Sequence, residues 1–201
     1  MVQKELRLSG SGGQGLILAG IILAEAALSD EKNVVQSQSY GPEARGGASK
    51  AEVIISEKEI NYPKVRNCDV LLALTQVACD KYIDSLKEGG SLILDSSVKN
   101  KPDRKDIDIY NVPILETAEK KLHKPMVANM VALGSLNGLI KIVNDNSLET
   151  AVLNRVPKGT ERINKTALEE GLNLIREYKG EYYERQYRSN EINATELCQA
   201  K

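Results

Sequence analysis

Near the N-terminus, Gly10-Ser11-Gly12-Gly13-Gln14-Gly15 places glycines at the spacing GxGxxG, after Leu6-Arg7-Leu8 and before the apolar residues 16–28. Glycines let a backbone come close to an anion, and the free amide hydrogens at the start of a following helix point at it. Ser11 and Gln14 add hydrogen-bonding side chains that a turn made only for strand-to-helix packing does not need. Both readings, packing alone and contact with an anion or cofactor, stay open. A dinucleotide asks for more: an acidic residue about twenty positions on, at the end of the second strand, for the ribose hydroxyl. Here that stretch reads Gln36-Ser37-Gln38-Ser39, with no carboxylate and no basic residue for a 2′-phosphate. A stand-alone NAD(P)-dependent oxidoreductase is the weaker alternative.

A second cluster, Ser39-Tyr40-Gly41-Pro42-Glu43-Ala44-Arg45-Gly46-Gly47, joins a rigid Gly-Pro turn, a carboxylate, a guanidinium and a flexible exit. The planar fork of Arg45 suits a phosphate or carboxylate. The competing reading is a surface loop with a local Glu43–Arg45 ion pair, which is worth little. Ligands of open α/β sheets bind beyond strand C-termini. The two clusters each follow a strand and are expected to be neighbours.

Other chemistry is sparse. Cys68, Cys79 and Cys198 form no CxxC pair, and His123 is the single histidine. This excludes a multi-histidine metal site, and an iron–sulfur cluster normally takes four closely spaced cysteines. An odd cysteine count without a secretory leader reads as reduced thiols in a cytoplasm. Cys68 and Cys79 are expected to be buried structural thiols rather than redox centres, and His123 a solvated loop residue. No nucleophile–base pair stands out, so the chain is not expected to catalyse alone.

These residues must be held by a frame. The chain has 201 residues, 41% hydrophobic and 27% charged, with 27 basic against 28 acidic side chains. That composition fits one globular domain, and its near-neutral balance gives no footprint for nucleic acid or an anionic membrane. Residues 16–28 are too short to span a bilayer and are interrupted by Glu25. Strands are expected at residues 6–8, 33–39, 51–60 (as a hairpin arm), 70–74, 91–95 and 107–112. Helices are expected at 16–28, 78–87 (stopped by Gly89-Gly90), 126–143, 148–156 and 164–178. The alternation implies an α/β fold: an open, mostly parallel sheet with helices on both faces, one domain over residues 1–175 and a helical tail. Met130, Gly134 and Gly138 make a small-residue stripe suited to close helix packing inside the domain, with a subunit contact as the alternative. Residues 176–201 form a polar extension rich in tyrosine (Tyr178, Tyr182, Tyr183, Tyr187), either a frayed tail or a helix docking on a partner.

Taken together, residues 10–15 with 16–28, the 39–47 cluster, residues 51–56, Pro125 with Asn129-Met130-Val131-Ala132-Leu133-Gly134, and Pro157-Lys158 resemble the gamma subunit of 2-oxoacid:ferredoxin oxidoreductases. The resemblance covers residues 4–175. It implies a multi-subunit enzyme that oxidatively decarboxylates a 2-oxoacid, passes the acyl group to coenzyme A and reduces ferredoxin. Thiamine diphosphate, magnesium and iron–sulfur clusters are then implied for partner subunits: a thiamine-binding, a 2-oxoacid-binding and a ferredoxin-like chain. None is held by this chain alone. The gamma part is implied to help assemble the complex and to cover the coenzyme A and thiamine diphosphate region. Carried over by position, Ser11, Gly12, Gly13 and Gln14 face that region, with Tyr40, Glu43 and Arg45 at its mouth or at a subunit interface. The Ser39-Tyr40 start and Gly46-Gly47 exit resemble the 2-oxoglutarate branch, whereas pyruvate-type members often continue into Gly-Ala-Pro. Branched-chain 2-oxoacids and indolepyruvate stay open, as do a purely scaffolding role and a homodimer of the isolated chain.

Overall fold

The computed structural model describes residues 3–39 and 47–199, with side chains through residue 180. β1 (Lys4–Ser11), β2 (Asn33–Ser39), β3 (Ala48–Ser56), β4 (Cys68–Ala73), β5 (Leu86–Asp95) and β6 (Asp108–Val112) make one sheet in the order β2-β3-β1-β4-β5-β6. β1, β4, β5 and β6 pair in parallel, while β3 is antiparallel to both β1 and β2. Five strands therefore run one way and β3 opposes them. The chain is an α/β domain with a mostly parallel sheet, and β3 is the expected hairpin arm.

Period-two alternation divides the side chains between two covered faces. Leu6, Leu8, Val53, Ile55, Val70, Leu72 and Ile93 pack under α1 (Leu16–Ser29), α4 (Ala128–Ile140), α5 (Asp145–Arg155) and α6 (Glu161–Gln199). A short helix, α3 (Ile114–Glu116), widens into a π turn (Thr117–Lys121) and joins the same layer. On the opposite face Leu71, Ala73, Leu92 and Leu94 meet Ala78, Cys79 and Tyr82 of α2 (Gln76–Tyr82).

That thinner face also buries charge. Arg7, 4% exposed, donates from Nε to Glu52 at 2.8 Å and from Nη2 to the Val65 carbonyl at 2.9 Å. Its guanidinium sits 5.3 Å from the Tyr82 ring centre, and Lys50 supplies a second cation to Glu52 at 2.9 Å. The pair ties β1 to β3 in register, Arg7 opposite Glu52. Removing one member of such a buried pair costs about 3–5 kcal/mol.

The small-residue stripe packs within the domain. A Cβ on Gly134 would overlap the Leu168 carbonyl, and one on Gly171 would overlap the Val131 carbonyl. The glycines let α4 and α6 approach backbone to backbone, and Ser135 Oγ donates to the Gly171 carbonyl at 3.1 Å. Tyr178 continues this contact: its ring centre lies 5.6 Å from that of Tyr110, and its hydroxyl donates to the Ile109 carbonyl at 3.0 Å. The side chains of Tyr182, Tyr183, Tyr187 and Cys198 lie outside the described ones.

One expected element is redrawn. The helix expected at 78–87 ends at Tyr82, followed by a 3₁₀ turn (Ile83–Ser85), and Leu86 already opens β5. Gly89 and Gly90 do not stop a helix. They sit where the β4–β5 register jumps, Cys68 facing Leu86 and Val70 facing Ser91. Leu86 fits a helical period equally well, and its pairing with Cys68 decides the matter.

Candidate functional site

The C-terminal ends of β1 and β2 and the start of antiparallel β3 meet at one margin of the sheet. Ser11 is paired with Ala48, and Ser39 with Lys50. The two anchors of the 40–46 segment thus stand beside the glycine turn, as expected. Tyr40, Glu43 and Arg45 themselves lie outside the described residues.

Inside the turn, Gln14 Oε1 accepts from the Ser11 amide at 2.8 Å. A Cβ on Gly10 would overlap that same oxygen, so Gly10 leaves room for the lock. The Gln14 carbonyl thus closes the turn on itself. Gly12 and Gly13 are exposed at its tip, and Gly13 has φ 89°.

Gly15, at φ 70°, is the residue preceding α1. This left-handed position suits glycine, and Asn129 occupies the space beside it: a Cβ there would lie 2.6 Å from Nδ2. Asn129 Nδ2 donates to the Gly15 carbonyl at 3.3 Å, and its Oδ1 accepts from the Met130 amide at 3.0 Å. The first turn of α4 is thereby tied to the first turn of α1. Neither helix start has a side-chain cap or an acidic residue in its first turn. By contrast, α2 is capped by Thr75, whose hydroxyl accepts from the Ala78 amide at 3.2 Å. The uncapped start of α1 at the glycine turn suits an anionic group, whereas α4 continues from the 3₁₀ turn Pro125–Val127, with its Ala128 amide donating to the Pro125 carbonyl and its Met130 amide to Asn129 Oδ1. Asn129 is the residue that reading the turn alone did not single out. Its signal is its place in the first turn of a helix that begins just after Pro125.

The geometry disfavours a dinucleotide more strongly than the sequence does. In a dinucleotide-binding fold the second strand lies next to the first, which brings its acidic end to the ribose. Here β3 separates β2 from β1, so the end of β2 is one strand further out.

The cysteines are placed as expected. Cys68 and Cys79 are 0% and 1% exposed. Desolvation pushes both thiols up, that of Cys79 to about 11, and Cys68 Sγ approaches the Ser85 carbonyl at 3.6 Å. Such thiols are poor ligands for an iron–sulfur cluster, which needs thiolates. Among the described residues no group of His, Cys, Asp or Glu could hold a metal ion, and no helix is long and apolar enough to cross a membrane. His123 is exposed in the turn before Pro125, as expected, with φ 52°.

Comparison with known proteins agrees with this frame. Residues 5–174 match the family model described as pyruvate ferredoxin/flavodoxin oxidoreductase. The 2-oxoglutarate synthase subunit KorC of Methanocaldococcus jannaschii is 49% identical over 179 residues, which is 88% of this chain and 96% of the relative. The KorC subunit of Methanothermobacter marburgensis is 46% identical over 183 residues, 88% and 98% of the two chains. Among solved structures, the gamma subunit of a keto/oxoacid ferredoxin oxidoreductase from Geobacter sulfurreducens PCA superposes with a TM-score of 0.81 at 46% identity, covering 89% of this chain and 99% of that one. A family model spanning most of the chain, near-full-length relatives and the same fold leave one assignment: this chain belongs to the pyruvate ferredoxin/flavodoxin oxidoreductase family.

Proposed function

We propose that the chain is the gamma subunit of a 2-oxoglutarate:ferredoxin oxidoreductase, which decarboxylates 2-oxoglutarate oxidatively to its acyl-CoA. The near-full-length likeness to 2-oxoglutarate synthase subunits carries the substrate choice. Thiamine diphosphate, magnesium and iron–sulfur clusters belong to the partner subunits, among them thiamine-binding, 2-oxoacid-binding and ferredoxin-like chains. The assembly works in the cytoplasm with ferredoxin as acceptor. Residues 1–175 form the working domain, and 176–201 extend it toward a partner.

In this reading the chain's own contribution is positional. The closed turn of Ser11, Gly12, Gly13 and Gln14 faces coenzyme A or the thiamine diphosphate region, with the uncapped α1 start supplying amide hydrogens to a phosphate. Gln14 Oε1 is engaged within the turn, which leaves its Nε2 as the donor for a ligand. Tyr40, Glu43 and Arg45 stand at the mouth, and Arg45 makes a charge-assisted contact with a phosphate or carboxylate. The observation supporting this most directly is the meeting of the glycine turn, the 40–46 anchors and the uncapped α1 start at one margin.

The test is Arg45→Ala in the anaerobically purified complex. We expect a KM for coenzyme A raised about tenfold or more, as for loss of a charge-assisted hydrogen bond, with the subunits still co-purifying. An unchanged KM and unchanged assembly would remove the ligand role. That outcome favours the second reading, a scaffold that contacts only protein.

A further inference from the structure

Asn129 is a costly residue where it stands. It is 5% exposed, between buried Ala128 and Met130, in the first turn of α4 where that helix meets α1. An apolar side chain would fill the place without taking an amide out of water. Both ends of the amide are used. Oδ1 accepts from the Met130 amide of its own helix, which fixes the side chain's orientation, and Nδ2 donates across to the Gly15 carbonyl.

The far end of that peptide gives the contact a direction. A peptide unit is planar and trans, so the Gly15 carbonyl and the Leu16 amide hydrogen point opposite ways from one rigid plate. The plate is held twice at its oxygen, by the Ala19 amide at 3.1 Å and by Asn129 at 3.3 Å. The bond from Ala19 is the ordinary first bond of a helix and moves with α1. The bond from Asn129 comes from another helix and does not. The Leu16 amide heads α1 just after exposed Gly12 and Gly13, and no side chain caps it. At Gly15 a Cβ would meet Asn129 Nδ2 at 2.6 Å, so the glycine and the asparagine fit one another.

We propose that Asn129 is a positioning residue for coenzyme A binding: by holding the Gly15–Leu16 peptide, it aims the first amide of α1 at a phosphate of coenzyme A. It touches neither the ligand nor the reacting atoms. The inference rests on the proposed function, from which it takes the ligand at the turn. An amide already aimed needs no ordering when the phosphate arrives, so the effect falls on binding and not on turnover.

The test compares Asn129→Leu, Asn129→Ser and Ser135→Ala in the anaerobically purified complex. Leucine has nearly the size of asparagine and no donor. Serine is polar but too short to reach the Gly15 carbonyl, and it serves should the leucine variant fail to assemble. Ser135→Ala deletes another buried bond of the same helix, to the Gly171 carbonyl, and controls for general loosening. Both Asn129 variants should raise the KM for coenzyme A about fivefold, as for loss of one hydrogen bond. The kcat and the KM for 2-oxoglutarate should stay within about twofold of wild type. Exchange of the Ala19 amide should quicken about fivefold or more, and Ser135→Ala should leave the KM for coenzyme A unchanged. Unchanged exchange with an unchanged KM overturns the inference and leaves the proposed function to the Arg45→Ala test. Faster exchange with an unchanged KM overturns both, because the turn then does not meet coenzyme A. A raised KM with unchanged exchange makes Asn129 a direct contact and overturns the route through Gly15. An equal rise in Ser135→Ala reduces the effect to lost stability and overturns the inference as well.

Discussion

At one edge of the sheet the Ile109 carbonyl of β6 accepts from Tyr178, and Tyr110 packs its ring on the same tyrosine. At the other edge β2 offers seven uncharged residues, with Val34 and Val35 packed on the two cores and Asn33 and Gln38 exposed. The chain closes the β6 edge with its own C-terminal helix, held by the reciprocal glycines of α4 and α6. Among the described residues no such tyrosine contact is made to β2.

The sharpest way to break this contrast is through the glycine contact. Gly171→Ala forces a Cβ into the Val131 carbonyl and should cost about 3 kcal/mol. The melting temperature should then fall by roughly 6–12 °C, with amide exchange at β6 accelerating more than at β2. Equal acceleration at both edges would show that α6 does not guard β6 selectively. Tyr178→Phe is milder: loss of the hydroxyl bond should cost about 1 kcal/mol, and faster exchange confined to β6 is the expected signature.

The smallest effect lies where Asp30, at the end of α1, anchors the start of α5. Desolvation pulls its carboxyl up. Hydrogen bonds from Ser147 Oγ and from the backbone and side-chain amides of Asn144, with the charge of Lys32, outweigh it and hold the group below the ordinary carboxylate range. A depressed folded pKa gives stability that is present above the unfolded value, near 3.8, and lost as pH falls through the folded one. Asp30→Asn should therefore flatten the acid limb of a urea-stability profile below about pH 4. An unchanged acid limb would mean that the carboxylate contributes nothing to joining α1 and α5.

Much of this frame was legible in residue order. β2 occupies the expected residues 33–39, α1 starts at the expected Leu16, and the stripe of Gly134 and Gly138 packs inside the domain. These depend on local period and on small side chains, which a single sequence displays. The insertion of β3 between β1 and β2 was not legible, because strand order is set by non-local pairing. Arg7 reads as a polar position in a short strand; its burial depends on Glu52, forty-five residues away. At the site, the glycine turn announced itself, whereas the tie from Asn129 to Gly15 spans 114 positions.

The mutual glycine notch between α4 and α6 admits one offset along their axes. A helix pair seated backbone to backbone cannot slide by part of a turn without collision. Asn129, at the start of α4, grips the glycine turn, and Tyr178, far along α6, grips the β6 edge. The two helices are therefore a single rigid strut across the domain, and a load on the C-terminal helix is borne directly by the turn at the other end.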